Sequence, residues 1–304
     1  MHHAFRRICG CLILIACMAE AAAAAPAQAK LSAAEVITKN VAARGGLQAW
    51  RAVQTMTLSG KMGAGGNQRA TLRVPTQAQA TVASKKTDEP ALPSRRAEEV
   101  YLPFLMELAR PRKMRFELQF AGQTALQVYD GVNGWKLRPY LNRLEVEPYT
   151  ADEMKAASMQ SELDGPLVDY SAKGTRVESD GIEKVEDHDT YKLKLTLKNG
   201  NVIHVWVDAR TFLETKIEGQ PRRLDGVNHP VEVYYRDYRN VDGLEIPFVL
   251  ETRVLPVTKV AMGLRDTPVP PQKTLIEKVV INSNFDAGLF SKPAIPTQSA
   301  ARKE

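Results

Sequence analysis

Apolar residues recur along this chain with two periods. Near the start the period is helical. Ser32-Ala33-Ala34-Glu35 has the form of a capping box, in which a hydroxyl and a carboxylate satisfy free amides at a helix start. Val36, Ile37 and Val41 then fall on one face, and Gly45-Gly46 supplies a stop. A second short helix is predicted over about 47–53, with Leu47, Trp50 and Val53 at helical spacing. From Thr55 the period becomes two. Met56, Leu58 and Gly60 alternate with polar residues, and a glycine-rich hairpin turn leads to a predicted strand over Arg69–Val74. Met114, Phe116, Leu118 and Phe120 alternate with Arg115, Glu117 and Gln119. Leu126 and Val128 follow, then Trp135 and Leu137 alternating with Lys136 and Arg138. Tyr191, Leu193, Leu195 and Leu197 alternate with polar residues, and Asn199-Gly200 turns the chain into 202–208. Further strands are predicted at 212–218, 231–238, 246–254 and 273–282, and one more helix near 151–162.

Strict alternation gives each strand one apolar and one wet face. Strands joined by hairpin turns make an antiparallel sheet, and a sheet this large must curl. The predicted fold is therefore mainly β: an unclosed half-barrel of ten or eleven strands, with two or three helices as lid or plug. Helices so few exclude an α/β fold.

Composition changes the picture at the ends. MHHAFRR carries Arg6 and Arg7, an apolar run occupies 8–16, and an alanine-rich stretch ends in Ala27-Gln28-Ala29. Basic, then apolar, then small is the form of a secretory signal, here 1–29. Leu14-Ile15-Ala16-Cys17 also fits the pattern at which bacterial lipoproteins are cut and acylated. The alternative is thus a lipoprotein signal over 1–16 with lipidation on Cys17. Either way the chain is expected to be exported, free or tethered to a membrane through Cys17. Cys9, Cys11 and Cys17 are the three cysteines, so neither product holds an internal disulfide.

Cleavage after Ala29 removes 29 of 304 residues, leaves 275, and lowers the net charge from +6 to +5. The expectation is a single domain over 30–290, with a long loop at 75–97 and a disordered tail at 291–304. No basic cluster dense enough for nucleic acid is present, and no later apolar run reaches membrane-spanning length.

The search for chemistry returns little. His188, His204 and His229 lie far apart, in no metal-ligand spacing. His188 reads as part of a charged turn and His204 as a satisfied strand residue. G-x-S-x-G and H-E-x-x-H are both lacking. Asp130, Asp208 and Asp242 sit beside turns, where Asp caps the backbone. No catalytic residue, metal or cofactor is predicted.

Leu108-Ala109-Arg110-Pro111, the aromatic-bearing strand after it, and the Asp130-Gly131 turn leading to Trp135 resemble one family. It is that of the periplasmic outer-membrane lipoprotein-sorting carriers of the LolA type and their relatives. The resemblance spans most of residues 31–290 in pattern, with its residue matches concentrated in 108–140. The chain is longer than the typical carrier, with 75–97 and Pro256–Gln272 as additions, and is closer to larger members of the family. The resemblance implies an unclosed barrel of about eleven strands with a helical lid and a cavity for acyl chains. It implies that Arg110 hydrogen-bonds the lid and that Met114, Phe116, Leu118 and Phe120 line the cavity. Leu126, Val128, Trp135 and Leu137 complete the expected lining. The expected partners are lipid or lipoprotein acyl chains, an inner-membrane donor and an outer-membrane acceptor, and the expected state is a monomer. The alternative is a sensor or partner-binding module whose barrel is filled by its own side chains.

Overall fold

The computed structural model describes residues 31–64, 99–139, 142–224, 226–257, 269–286 and 288–294. The predicted signal with Cys17, the strand at 69–74, the 75–97 loop and residues 295–304 lie outside these. All elements belong to the unit Ser32–Glu304. No helix among the described residues is long and apolar enough to cross a membrane.

The three helices are α1 (Ala33–Ala43), α2 (Leu47–Ala52) and α3 (Ala151–Gln160). Both longer ones begin with reciprocal capping boxes, Ser32 with Glu35 and Thr150 with Glu153. The first six strands are β1 (Thr55–Gly63), β2 (Tyr101–Ala109), β3 (Lys113–Phe120), β4 (Gln123–Tyr129), β5 (Gly134–Arg138) and β6 (Arg143–Pro148). After α3 come β7 (Arg176–Val185), β8 (His188–Thr196), β9 (Val202–Asp208) and β10 (Glu214–Leu224). The last three are β11 (Val227–Val241), β12 (Leu244–Val254) and β13 (Gln272–Ile281).

All thirteen join one antiparallel sheet, in the order β6-β5-β4-β3-β2-β1-β13-β12-β11-β10-β9-β8-β7. Every pair of strands consecutive in the chain is hydrogen-bonded except β6 and β7, and the first strand pairs with the last. The sheet is thus a meander cut once. At the cut the chain leaves one edge through α3 and the 161–175 segment and returns at the other edge. The mainly β, unclosed and curled architecture matches the sequence expectation.

The strand count is thirteen among the described residues, against the ten or eleven expected. β2, β6 and β7 are the ones not foreseen, for two reasons. β2, YLPFLMELA, is apolar almost throughout and shows no alternation. β6 and β7 are the sheet edges, charged and largely exposed along their length. Charged edges resist pairing with another chain, and the same charge erases the period-two signal.

The largest core cluster lies on one face. Met56 and Leu58 of β1, Phe104 and Leu108 of β2, Met114 of β3, Ile246 and Phe248 of β12 and Ile276 of β13 form it. Trp50 of α2, Ala157 of α3, and Leu163 and Val168 close over them. Lys136 on β5 is buried on this same side and bonds Glu153 of α3 at 2.6 Å, which pins the helix to the sheet. α1 sits beside Phe212: Asn40 Nδ2 donates to its carbonyl at 2.8 Å, and Lys39 Nζ lies 5.1 Å from its ring centre. Gly45, at φ +110°, closes α1 against the β11–β12 turn. A Cβ there would lie 2.3 Å from the Gly243 carbonyl oxygen.

Candidate ligand cavity

Between the covered face and the 160–166 segment lies a cavity of about 220 Å³. Its floor is apolar and comes from six strands: Met56 and Leu58, Met106 and Leu108, Ile276, Ile246 and Leu250, Ile217, and Val205. Its roof is Trp50 and the stretch from Gln160 to Pro166. A second depression, about 350 Å³, lies between β2 and the β3–β4 turn beside Leu102 and Phe120. It is larger, but the first cavity is the better ligand site because apolar side chains from six strands converge on it.

Charged contacts fasten the roof. Arg110 Nη2 bonds Asp164 Oδ2 at 2.7 Å, and its guanidinium also donates to the Val53 and Trp50 carbonyls at 2.8 and 3.1 Å. Asp164 is 1 % exposed, and Lys173 bonds its other oxygen. Lys173 also meets Glu162 at 3.1 Å, and Arg112 meets Glu162 at 2.9 Å. A carboxylate this buried is stable only with such partners. Arg110, expected from the family resemblance to hold the lid, does hydrogen-bond the roof segment.

A second buried pair stands at the cavity wall. Arg44 Nη1 bonds Glu214 Oε1 at 3.2 Å and the Asp164 carbonyl at 2.9 Å, with its guanidinium stacked on Trp50. The Tyr238 hydroxyl donates to the Glu214 carbonyl at 2.9 Å. Burial first, then the Glu214 charge, holds the Tyr238 hydroxyl far above its ordinary pKa. Tyr235 is pushed up for the same two reasons. Both phenols therefore stay protonated.

Register divides the predicted lining into two groups. Met114, Phe116 and Leu118 pair with Leu108, Met106 and Phe104, so they share the covered face. Phe116 stacks on Phe104 with ring centres 5.9 Å apart. Phe120 extends the same row to the strand end, where it is 44 % exposed. On β4, Tyr129 and Ala125 stand opposite Met114 and Leu118. Leu126 and Val128 consequently point to the other face, and they pair with Leu137 and Trp135. None of the eight apolar residues predicted as lining is among those that line the cavity, and Phe120 lies at the second depression instead. Trp135 and Val128 pack instead with Ala109, Phe285, Leu289 and Phe290, the C-terminal segment laid over the outer face. The cause is the turn at Asp130–Asn133, which fixes a register that alternation alone leaves open.

The polar readings fall as follows. Asp130 accepts from the Val132 and Asn133 amides at 2.7 and 2.6 Å, as a turn cap. His204 Nδ1 lies 2.9 Å from Glu218, and exposed His188 lies 3.3 Å from Asp208. Sequence reasoning missed Asp164, Lys173, Arg44, Glu214, Tyr235 and Tyr238. For Asp164 the signal was an acid inside the apolar stretch Leu163–Val168. For Tyr235 it was two adjacent tyrosines in a strand, which must face opposite sides.

No family model matches the sequence, and no curated protein does. Solved structures do. A LolA superfamily protein from Nitrosomonas europaea has a TM-score of 0.49 at 12 % identity, covering 86 % of this chain and 98 % of its own. An outer-membrane lipoprotein-sorting protein domain from Vibrio parahaemolyticus has 0.48 at 12 %, covering 85 % and 95 %. A DUF1329 family protein from Desulfovibrio piger has 0.49 at 12 %, covering 84 % and 96 %. At this identity the likeness concerns the backbone, and no side-chain role transfers with it.

Proposed function

We propose that this protein is an exported, non-catalytic binding or carrier protein for the acyl chains of lipids or lipoproteins. It works in the periplasm between an inner-membrane donor and an outer-membrane acceptor. One observation carries the reading: a mainly apolar cavity whose roof is tied to the rest of the fold by the contacts of Arg110 and Arg44 with Asp164. Apolar walls suit a chain that gains about 0.8 kcal/mol for each buried methylene. The cavity, at about 220 Å³, is smaller than the roughly 300 Å³ at which ligand sites begin. Cargo must therefore lift the roof, and it shifts the open–closed balance by its differential affinity for the two states. A cut sheet can open in this way, whereas a closed barrel resists it. The rival reading, a filled module that binds a partner along a sheet edge, is opposed by the charge on β6 and β7.

The test is a native mass spectrum of the full chain, exported in a Gram-negative host and purified without detergent, before and after organic extraction. The expected result is a mass excess that extraction removes, with acyl lipid or lipopeptide in the extract. A bare polypeptide mass under both conditions, with no uptake of added lipid, sinks the carrier reading. The same spectrum places the mature N-terminus near Lys30 or at an acylated Cys17.

A further inference from the structure

We infer that the hydroxyl of Tyr235 is the docking point for a neutral acyl carbonyl. The cavity then prefers acyl esters or amides to free fatty acids and to plain hydrocarbon. This rests on the carrier reading above and narrows its cargo.

Tyr235 stands opposite Leu250 in the β11–β12 register and forms part of the cavity wall. It lies deep among protein atoms, yet part of its surface stays accessible. Its neighbours' hydroxyls are engaged, Tyr238 with the Glu214 carbonyl and Tyr234 with Glu232 on the outer face. The Tyr235 hydroxyl has no hydrogen-bond partner among the described residues, nor is it sealed away from space. A polar group left open in an apolar wall is a place for a ligand's polar group.

The charge around it selects the kind of group. Of the charged side chains that line the cavity, Arg44 is the one cation against the carboxylates Glu162 and Glu214, and it is already bonded to Glu214. Among the described lining residues no unengaged cation is left to receive a carboxylate. A fatty-acid head would be a buried anion near Glu214 with a single phenol for company, which is costly. An ester or amide carbonyl needs only one donor, and Tyr235 supplies it. A hydrocarbon of equal length covers that hydroxyl without satisfying it.

The experiment uses delipidated full-length protein and displacement of an anilinonaphthalene dye by dodecane, methyl dodecanoate and dodecanoate at neutral pH. In the wild type the ester should bind about fivefold tighter than dodecane, the worth of one hydrogen bond. Dodecanoate should bind no tighter than the ester. Tyr235→Phe should erase the ester's advantage and leave dodecane binding unchanged. An advantage that survives in Tyr235→Phe overturns the inference, as does a wild type that prefers dodecanoate or binds all three alike; the carrier reading survives each of these. If the variant loses dodecane binding together with the ester, Tyr235 is wall only, and the inference again falls. If the wild type takes up neither dye nor any of the three, the carrier reading itself fails.

Discussion

Single side chains decide most through what surrounds their charge or bulk. Glu186 accepts from Arg236 at 2.7 and 2.9 Å and from Arg253 at 3.1 Å. The Arg236 hydrogen bonds, opposed by partial burial and helped by both positive charges, hold Glu186 down to about 2 from its ordinary 4.5. A carboxylate lowered on folding stabilises the fold above its unfolded value, and that contribution is lost as pH falls through the folded one. The Glu186→Gln variant should thus melt below the wild type at pH 7, with the two curves merging as pH drops from 4.5 toward about 2. Thermal denaturation across that range checks it; a constant gap would mean that the Arg236 contact is not what Glu186 supplies. Phe116 is a different case, apolar, on the covered face and only half-buried beside Phe104. Phe116→Glu should keep the native circular dichroism and lose more than about tenfold in acyl-chain binding, a charge having no partner there. Global unfolding of that variant would make the face a packed core instead.

Elements show where the molecule can move. α3 and the 161–175 segment cross the cut in the sheet, and their ties to the rest of the fold include Arg110 to Asp164, Arg44 to the Asp164 carbonyl, Arg112 to Glu162, Arg51 to Asp169 and Lys136 to Glu153. The sheet itself is paired throughout, so loosening belongs to the crossing segment. Arg110→Leu removes hydrogen bonds to two carbonyls and to Asp164 while Lys173 still neutralises the acid. The expected cost is about 2 kcal/mol, as for hydrogen bonds to a charged group. It should appear as faster amide exchange confined to residues 150–175, with β1, β2 and β13 unchanged. Exchange rising equally over the whole sheet would show that Arg110 holds the entire fold and no lid.

At the scale of the molecule, Arg44 is a clasp. It links the end of α1 to Glu214 on β10 and to the Asp164 carbonyl in the roof, three parts far apart in the chain. Removing one partner of a buried pair strands the other. Glu214→Ala should therefore cost about 3 kcal/mol in urea denaturation, well beyond a surface substitution. A loss under about 1 kcal/mol would show that the guanidinium finds solvent or another partner.

The sequence by itself determined the capping box at Ser32, the antiparallel strands, the need for a large sheet to curl, and the scarcity of helices. These are local or averaged properties, carried by period and turn chemistry. Tertiary structure alone decided which face each row of apolar residues serves. A strand's alternation names two faces without saying which is inside, so Val128 and Trp135 turned out to lie under the C-terminal segment and Met114 in the core of the covered face. Tertiary structure also revealed the edges β6 and β7, whose charge hides their period, and it brought Arg44, Asp164, Glu214 and Tyr235 to one wall. Contacts between residues more than a hundred positions apart leave no periodic trace. They exist only once the sheet has curled and the crossing segment has closed over it.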